Sequence, residues 1–343
     1  MKVLTTAKLP PEALDLLRSK ADLVLEPTGL PKKWQELLPF TPGVHGILSL
    51  LTWQIGAELI YAIPDLKAIS NDAAGLDNID LKTATQRKIV VTHTPDLLTH
   101  ATADLTWALI LGIARRISEG ERFVRKGLWK GWEPQLLLGH DLWGKALGVI
   151  GLGRIGLEVA KRAKGFGMKI FYHSQTPKIS EEEIYGFEYK TLPELLTESD
   201  YLTLHTPSTP QTRGLIGEKE LKQMKSTAFL INTARGTVVD SMALTLALKE
   251  GWIAGAALDV TDPEPIPSDH PLLTLENCLI VPHIGSATVE TRRRMALQAS
   301  EDLLTALEGS HPKFVANPEV FSEDSSEPPF IMKGIWRWGS QAK

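Results

Sequence analysis

A chain of 343 residues is too long for one compact core and implies about two domains. Its 37 basic and 41 acidic residues leave a formal net charge of -4, which argues against nucleic acid or an anionic membrane as partner. The single cysteine, Cys278, excludes an intramolecular disulfide framework and a cysteine-rich metal site; no metal is expected, and the residue reads as a small buried hydrophobe in a reducing compartment.

The opening "MKVLTTAKLP" lacks the apolar stretch and cleavage site of a signal peptide and reads as a first strand. Strand and helix patterns then alternate: "KVLTT" and "PEALDLLRS", "GILSLL" and "GAELIYAI", followed by the strands "KAIS" and "IVVTHT". The apolar run "LTWALILGIA", residues 105–114, has roughly half of the ~20 residues that a membrane helix needs and runs into Arg115 and Arg116, so it reads as a buried helix. A soluble cytoplasmic protein is expected. A second series of six strands follows, "LGVI", "KIFYH", "YLTLH", "AFLINT", "GAALDV" and "CLIVPH", bracketed by helical patterns over about 101–125 and 287–308.

This alternation predicts an α/β protein with parallel sheets covered by helices, the second series forming a doubly wound dinucleotide-binding domain. The expected division is two Rossmann-like domains: a dinucleotide-binding domain at 100–288, inserted into a discontinuous substrate domain of 1–99 and 289–343, with the ligand cleft between them. The tail, 321–343, is polar and then aromatic. It reads either as a mobile tail or as a strap docked by Phe330, Trp336 and Trp338. The basic run Arg292 to Arg294 reads as a solvated helix face.

Chemistry enters at "VIGLGRIG". Gly151, Gly153 and Gly156 stand in G-x-G-x-x-G spacing between a strand and a helical pattern. That context predicts a tight turn, close backbone approach to a pyrophosphate, and close helix packing. After the next strand, where an acid would bind a free ribose 2′-hydroxyl, the chain has Ser174, Gln175, Thr176 and then Lys178. The missing acid removes repulsion against a 2′-phosphate, yet no arginine replaces it. NADP and NAD both remain open, with the balance tilted toward NADP; Ser174 and Gln175 could also simply bind ribose hydroxyls.

Three polar residues stand at the ends of late strands: Arg235 in "INTARGTVVD", Glu264 in "DVTDPEPIP" and His283 in "VPHIGSAT". A lone histidine after an apolar run is most simply a satisfied core residue. In an open α/β sheet, however, the carboxyl ends of strands face the ligand, so the three could converge. A dehydrogenase acting on a 2-oxo acid needs a fixed cation for the carboxylate and carbonyl, which suits Arg235. It also needs a group that exchanges a proton near neutrality, which suits His283, with Glu264 orienting the imidazole. His93 and His205 also follow strands but have no accompanying carboxylate motif.

Taken together, "GLGRIG", "NTARG", "GAALDVTDPEP", "HPLLTLENC" and "PHIGSAT" resemble the D-isomer-specific 2-hydroxyacid dehydrogenases, and most closely their glyoxylate/hydroxypyruvate reductase branch, from the first strand to about Pro318. The resemblance implies that Arg235, Glu264 and His283 form the catalytic set. It implies that the backbone of Ala74 and Gly75 holds the substrate carboxylate with Arg235, next to the loop Leu51 to Trp53. It further implies cofactor contacts from Thr102, Arg154, Ile155, Thr206, Pro207, Thr233, Ala234, Asp259, His283 and Gly285, besides the glycines, Ser174 and Gln175. Asp259 would bind the nicotinamide carboxamide, although an aspartate ending a strand could equally be a turn cap. A homodimer with Gly127 to Gly144 near the interface also follows from the resemblance.

Trp53, Gly56, His100 and Gln175 depart from the usual pattern, which touches substrate range and cofactor preference. Two competing readings remain. Phosphite dehydrogenases share a segment like that around Trp132 but carry a lysine where Ala74 stands, and NAD(H)-sensing interaction proteins share the scaffold without turnover. Loss of reduced-cofactor absorbance on adding glyoxylate or hydroxypyruvate separates them.

Overall fold

The computed structural model describes residues 1–322, so the tail aromatics Phe330, Trp336 and Trp338 lie outside the described residues. The chain forms two compact units, one of Met1–Thr94 with the segment from Ala296 onward, the other of Pro95–Met295.

The first unit holds five parallel strands: β1 (Lys2–Thr6), β2 (Asp22–Glu26), β3 (Gly46–Ser49), β4 (Ala68–Asn71) and β5 (Val90–Thr92). They lie in the order β2-β1-β3-β4-β5. Successive side chains point to opposite faces, and both faces are buried. Leu4, Ile47, Ile69 and Val91 join one core with Leu37, Trp53 and Leu59. Val3, Leu48 and Ala68 join another, with Leu14 and with Ala299 and Leu303 of the helix Val289–Leu307. Strand β2 carries no clear alternation in "DLVLE" and was not among the expected strands.

The second unit holds seven parallel strands: β6 (Ala146–Ile150), β7 (Lys169–His173), β8 (Glu188–Tyr189), β9 (Tyr201–Leu204), β10 (Phe229–Asn232), β11 (Gly255–Leu258) and β12 (Cys278–Ile280). Their order is β12-β11-β10-β9-β6-β7-β8, a doubly wound arrangement that reverses direction between β6 and β9. Leu147 and Val149 face one core while Ala146 and Ile150 face the other. The unexpected seventh strand, β8, is a two-residue edge too short to leave a periodic signal.

The helical pattern at 101–125 is two helices, Thr99–Ala114 and Ile117–Arg125. The break has a local cause. The Ala114 carbonyl accepts the His140 N–H at 2.8 Å, and Arg116 takes a left-handed conformation with φ 53°. The first helix is buried against the sheet, with Trp107 stacked on Phe166 and its indole N–H donated to the Val159 carbonyl; the second buries no residue. Among the described residues no helix is long and apolar enough to cross a membrane. Arg292 to Arg294 are exposed on the helix Val289–Leu307.

Candidate active site

At the end of β6 each glycine of the G-x-G-x-x-G turn has a different physical reason. Gly151 has φ +92°, and a Cβ there would lie 2.7 Å from the His205 carbonyl oxygen. A Cβ on Gly156 would lie 2.1 Å from the Gly151 carbonyl oxygen, so helix and turn touch only because residue 156 is glycine. Gly153 is the opposite case: a Cβ would meet nothing within 4 Å. It is the N-cap of the helix Arg154–Ala163 and offers no capping side chain to take up the first-turn N–H groups. A free cradle at a helix N-terminus fits a dinucleotide phosphate. Ile155 lies in the first turn and packs on the core, while Arg154 is exposed and its Nε lies 2.6 Å from Asp96 Oδ1. Thr206 and Pro207 follow β9 beside this turn, the Thr206 nitrogen 3.0 Å from the position a Gly151 Cβ would take.

Beyond β7, Ser174 donates its hydroxyl to the Thr176 carbonyl at 2.8 Å, and Gln175 is exposed. The loop is closed by Tyr172, whose hydroxyl accepts the Lys178 N–H at 2.6 Å and donates to Glu182 at 2.5 Å. Burial, reinforced by Glu182, pushes this phenol up to about 12. No carboxylate hydrogen-bonds to Ser174 or Gln175 among the described residues.

After β10, Asn232 organises the turn that carries Arg235. Its amide nitrogen donates to the Arg235 carbonyl at 2.8 Å, and its oxygen accepts the Ala234 N–H at 3.0 Å. Thr233 is tied through its hydroxyl to Thr106, 2.9 Å away on the helix Thr99–Ala114. The next residue, Gly236, packs directly on the loop that carries Glu264; a Cβ would stand 1.9 Å from the Thr261 carbonyl oxygen. The glycine of "ARG" thus brings the Arg235 turn against the Glu264 loop. Asn232 and Thr106 were not expected as site residues. An asparagine ending an apolar strand before a turn was the available signal for Asn232; Thr106, inside an apolar helix, left none.

Glu264 Oε1 lies 2.6 Å from His283 Nδ1. Burial raises the Glu264 carboxyl, but the hydrogen bond with His283 and the charges of His283 and Arg235 outweigh it and hold the group below its ordinary value. None of the three ends its strand, contrary to expectation: Arg235 and Glu264 lie on loops after Asn232 and Leu258, and His283 lies beyond the strand in "CLIVPH". Strand β12 stops at Ile280, and His283 sits three residues on, in a left-handed conformation with φ 52°. Asp259 makes that conformation possible. Its carbonyl accepts the His283 N–H at 2.9 Å, and its two carboxylate oxygens accept the N–H groups of Ile284 (2.6 Å) and Gly285 (2.9 Å). One residue after β11 therefore holds three successive N–H groups. Burial, with Glu264 adding to it, raises the Asp259 carboxyl despite these bonds and the opposing charge of His283. Thr102 is at the same place, 3.3 Å from where a Gly285 Cβ would stand.

His205 is a different histidine. Its Nε2 lies 2.9 Å from the Thr203 hydroxyl, no carboxylate bonds to it among the described residues, and burial pushes it down to about 3. Cys278 is half-buried, and burial pushes its thiol up to about 12, consistent with a packing role.

In the first unit, Ala74, Gly75 and Leu51 are partly exposed. Trp53, in the loop expected to differ in shape, is fully buried in the core and contributes no side chain to that surface. An apolar indole beside Leu37 and Leu59 is better placed in the core than in water. His100 lies at the surface near Glu158, and Gly56 caps the short helix Ala57–Ala62.

The sequence pattern described as "D-isomer specific 2-hydroxyacid dehydrogenase, NAD binding domain" matches residues 107–285. The glyoxylate reductase of Aeropyrum pernix is 47% identical over 323 residues, 93% of this chain and 96% of that protein. Among solved structures, the TT0316 protein of Thermus thermophilus is similar with TM-score 0.87 and 48% identity, over 92% of this chain and 100% of that one. An NADPH-dependent glyoxylate/hydroxypyruvate reductase from Sinorhizobium meliloti, in complex with NADP and malonate, is similar with TM-score 0.82 and 32% identity, over 95% and 99% of the two chains.

Proposed function

Since this chain belongs to the D-isomer specific 2-hydroxyacid dehydrogenase family, we propose that it reduces glyoxylate and hydroxypyruvate to glycolate and D-glycerate with a nicotinamide dinucleotide. The observation that carries this reading is the 2.6 Å pair of His283 and Glu264 in the same unit as the open glycine turn, with Arg235 close enough for its charge to act on Glu264. The reduced cofactor, when bound, supplies the hydride. Gly151, Gly153 and Gly156 with the helix Arg154–Ala163 would hold its phosphates, and Thr102, Thr206, Pro207, Thr233, Ala234, Asp259 and Gly285 would contact the rest.

Protonated His283 gives its proton to the carbonyl oxygen as that oxygen gains charge. With Nδ1 engaged by Glu264, the proton exchanged with substrate is carried on Nε2. Glu264, kept ionised by its neighbours, orients the imidazole through its bond with Nδ1. Arg235 neutralises the substrate carboxylate and polarises the carbonyl. The first unit contributes backbone N–H donors of Ala74 and Gly75 to the carboxylate, beside Leu51.

Cofactor choice is proposed to favour NADP(H), because Ser174 and Gln175 place no carboxylate against a 2′-phosphate. The protein is further proposed to form a homodimer through the segment Gly127 to Gly144. Trp129, Trp132 and Trp143 are 56%, 83% and 82% exposed there, with Leu128 and Leu138 also exposed, more apolar surface than a monomer usually leaves in water. Turnover of glyoxylate and hydroxypyruvate is measured with NADPH and NADH in turn, and the mass in solution alongside. A protein that binds cofactor and turns over neither acid refutes the activity, and a monomeric mass refutes the dimer.

A further inference from the structure

The turn after β4 holds a buried polar network that no catalytic step above uses. Three successive carbonyls of this turn have assigned donors. The Ala73 carbonyl accepts the Thr94 N–H at 2.9 Å, the Ala74 carbonyl lies 2.9 Å from His93 Nδ1, and the Gly75 carbonyl accepts Asn71 Nδ2 at 2.8 Å. A trans peptide is planar, with the C=O of one residue and the N–H of the next pointing in opposite directions. Fixing the carbonyls of 73, 74 and 75 therefore fixes the N–H groups of Ala74, Gly75 and Leu76 toward the other side. Among the described residues those three N–H groups have no hydrogen-bond acceptor.

The network continues to the neighbouring loop. Asn71 Nδ2 also reaches Asn78 Oδ1 at 3.0 Å, Ser49 donates to Asn71 Oδ1 at 2.8 Å, and Asn78 Nδ2 donates to the carbonyls of Leu50 (3.1 Å) and Trp53 (2.9 Å). Asn71 and Asn78 are buried, and His93 is anchored by its own N–H on the Phe314 carbonyl. One set of amides thus ties the turn at 73–75 to both ends of the loop 50–53.

We propose that His93 is a positioning residue for substrate, acting with Asn71 and Asn78: its Nδ1–H holds the Ala74 carbonyl so that the Gly75 N–H is presented to the carboxylate of a 2-oxo acid. This rests on the reading of Ala74 and Gly75 as carboxylate donors. His93 exchanges no proton with substrate; it donates from Nδ1 in both the neutral Nδ1–H and the charged form. The Leu76 N–H is oriented with the other two and is available as a third donor.

Three variants test the hydrogen bond. His93→Ala frees the Ala74 carbonyl and lets its peptide plane rotate. The KM for glyoxylate and the inhibition constant of oxamate rise together, roughly tenfold, while kcat and the NADPH dissociation constant stay within about twofold. His93→Asn restores both values, because its amide nitrogen stands close to the place of Nδ1; His93→Gln, whose amide reaches the place of Nε2, does not. Asn78→Asp, which keeps the shape and loses the donor to Leu50 and Trp53, raises the same KM. Should it fail to fold, the His93 series decides alone. An unchanged KM and oxamate constant in His93→Ala, or Asn and Gln behaving alike, overturns the proposal while the activity stands. A parent enzyme inactive on both acids overturns the reading beneath it.

Discussion

The seven-stranded unit places charged side chains where ligand is proposed to bind: Arg235, Glu264 and His283, each on a loop following its own strand. In the five-stranded unit the proposed donors are backbone instead, the N–H groups of Ala74 and Gly75, in a turn held by buried amides and an imidazole. In the first arrangement a residue acts by its own pKa and charge. In the second it acts by how its neighbours hold a peptide plane. Substitutions should therefore be felt mainly in turnover and its pH dependence in one unit, and mainly in substrate affinity in the other.

The largest contrast is expected from His283→Asn. Loss of a positioned acid costs about 10²- to 10⁴-fold in kcat and flattens the pH profile, with the NADPH dissociation constant preserved. A loss confined to KM would erase the distinction between the units. The next expectation concerns stability. His205, down at about 3 against an ordinary 6.5, stays neutral in the folded second unit while the unfolded chain takes up a proton as pH falls below 6.5. Stability is lost on that side, by about 2 kcal/mol at pH 5.

In the first unit the resolved shifts belong to carboxyls. Burial raises Glu26, but its bonds with Thr28 and Gly29 outweigh that and lower it, and bonds from Thr83 lower Asp80; both lose their contribution only in stronger acid. Asp302, raised by burial, loses its contribution as pH rises. Segment-resolved hydrogen exchange at pH 7 and 5 should thus show the second unit loosening and the first not loosening. His205→Gln should remove the difference; Asp259, raised and opposing, is common to parent and variant.

A smaller effect separates charge from geometry within the second unit. Glu264→Gln keeps a hydrogen-bonding side chain beside His283 and removes the charge, so the alkaline limb of the pH–rate profile moves to lower pH and activity at high pH falls roughly tenfold. A profile that overlays the parent's would mean Glu264 is not the electrostatic partner of His283. The smallest change is expected from Ser174→Asp. A carboxylate after β7 should shift the NADPH/NADH ratio of kcat/KM a few fold toward NADH, through repulsion of a 2′-phosphate. No shift would place discrimination elsewhere.

The same contrast explains what could be read from the sequence. Elements with two buried faces or a glycine signature announced themselves: β1, β3, β6, β9 and β10 are apolar runs, and "GLGRIG" is legible because sterics leave Gly151 and Gly156 no alternative. The proposed side-chain chemistry was likewise visible as rare residues in short motifs. The supporting polar residues were less so: Asn232 left only its place before a turn, and Asn71 and Asn78 form bonds to backbone that no periodicity encodes. Nor was the turn of chain at His283 visible, because it depends on Asp259, 24 residues earlier in sequence, accepting three N–H groups. Trp53 read as part of a loop because loop residues are usually judged by their neighbours in sequence, while its indole went to the core.

The left-handed backbone of His283 limits which amino acids position 283 can accept, apart from any chemistry. Asparagine enters that region with little penalty and glycine with none, whereas valine or isoleucine, branched at Cβ, would oppose it on steric grounds alone. Saturation mutagenesis at 283 should consequently sort into two independent rankings. Turnover should separate histidine from all others, and yield of folded protein should separate glycine and asparagine from the β-branched residues whether or not any of them turns over substrate.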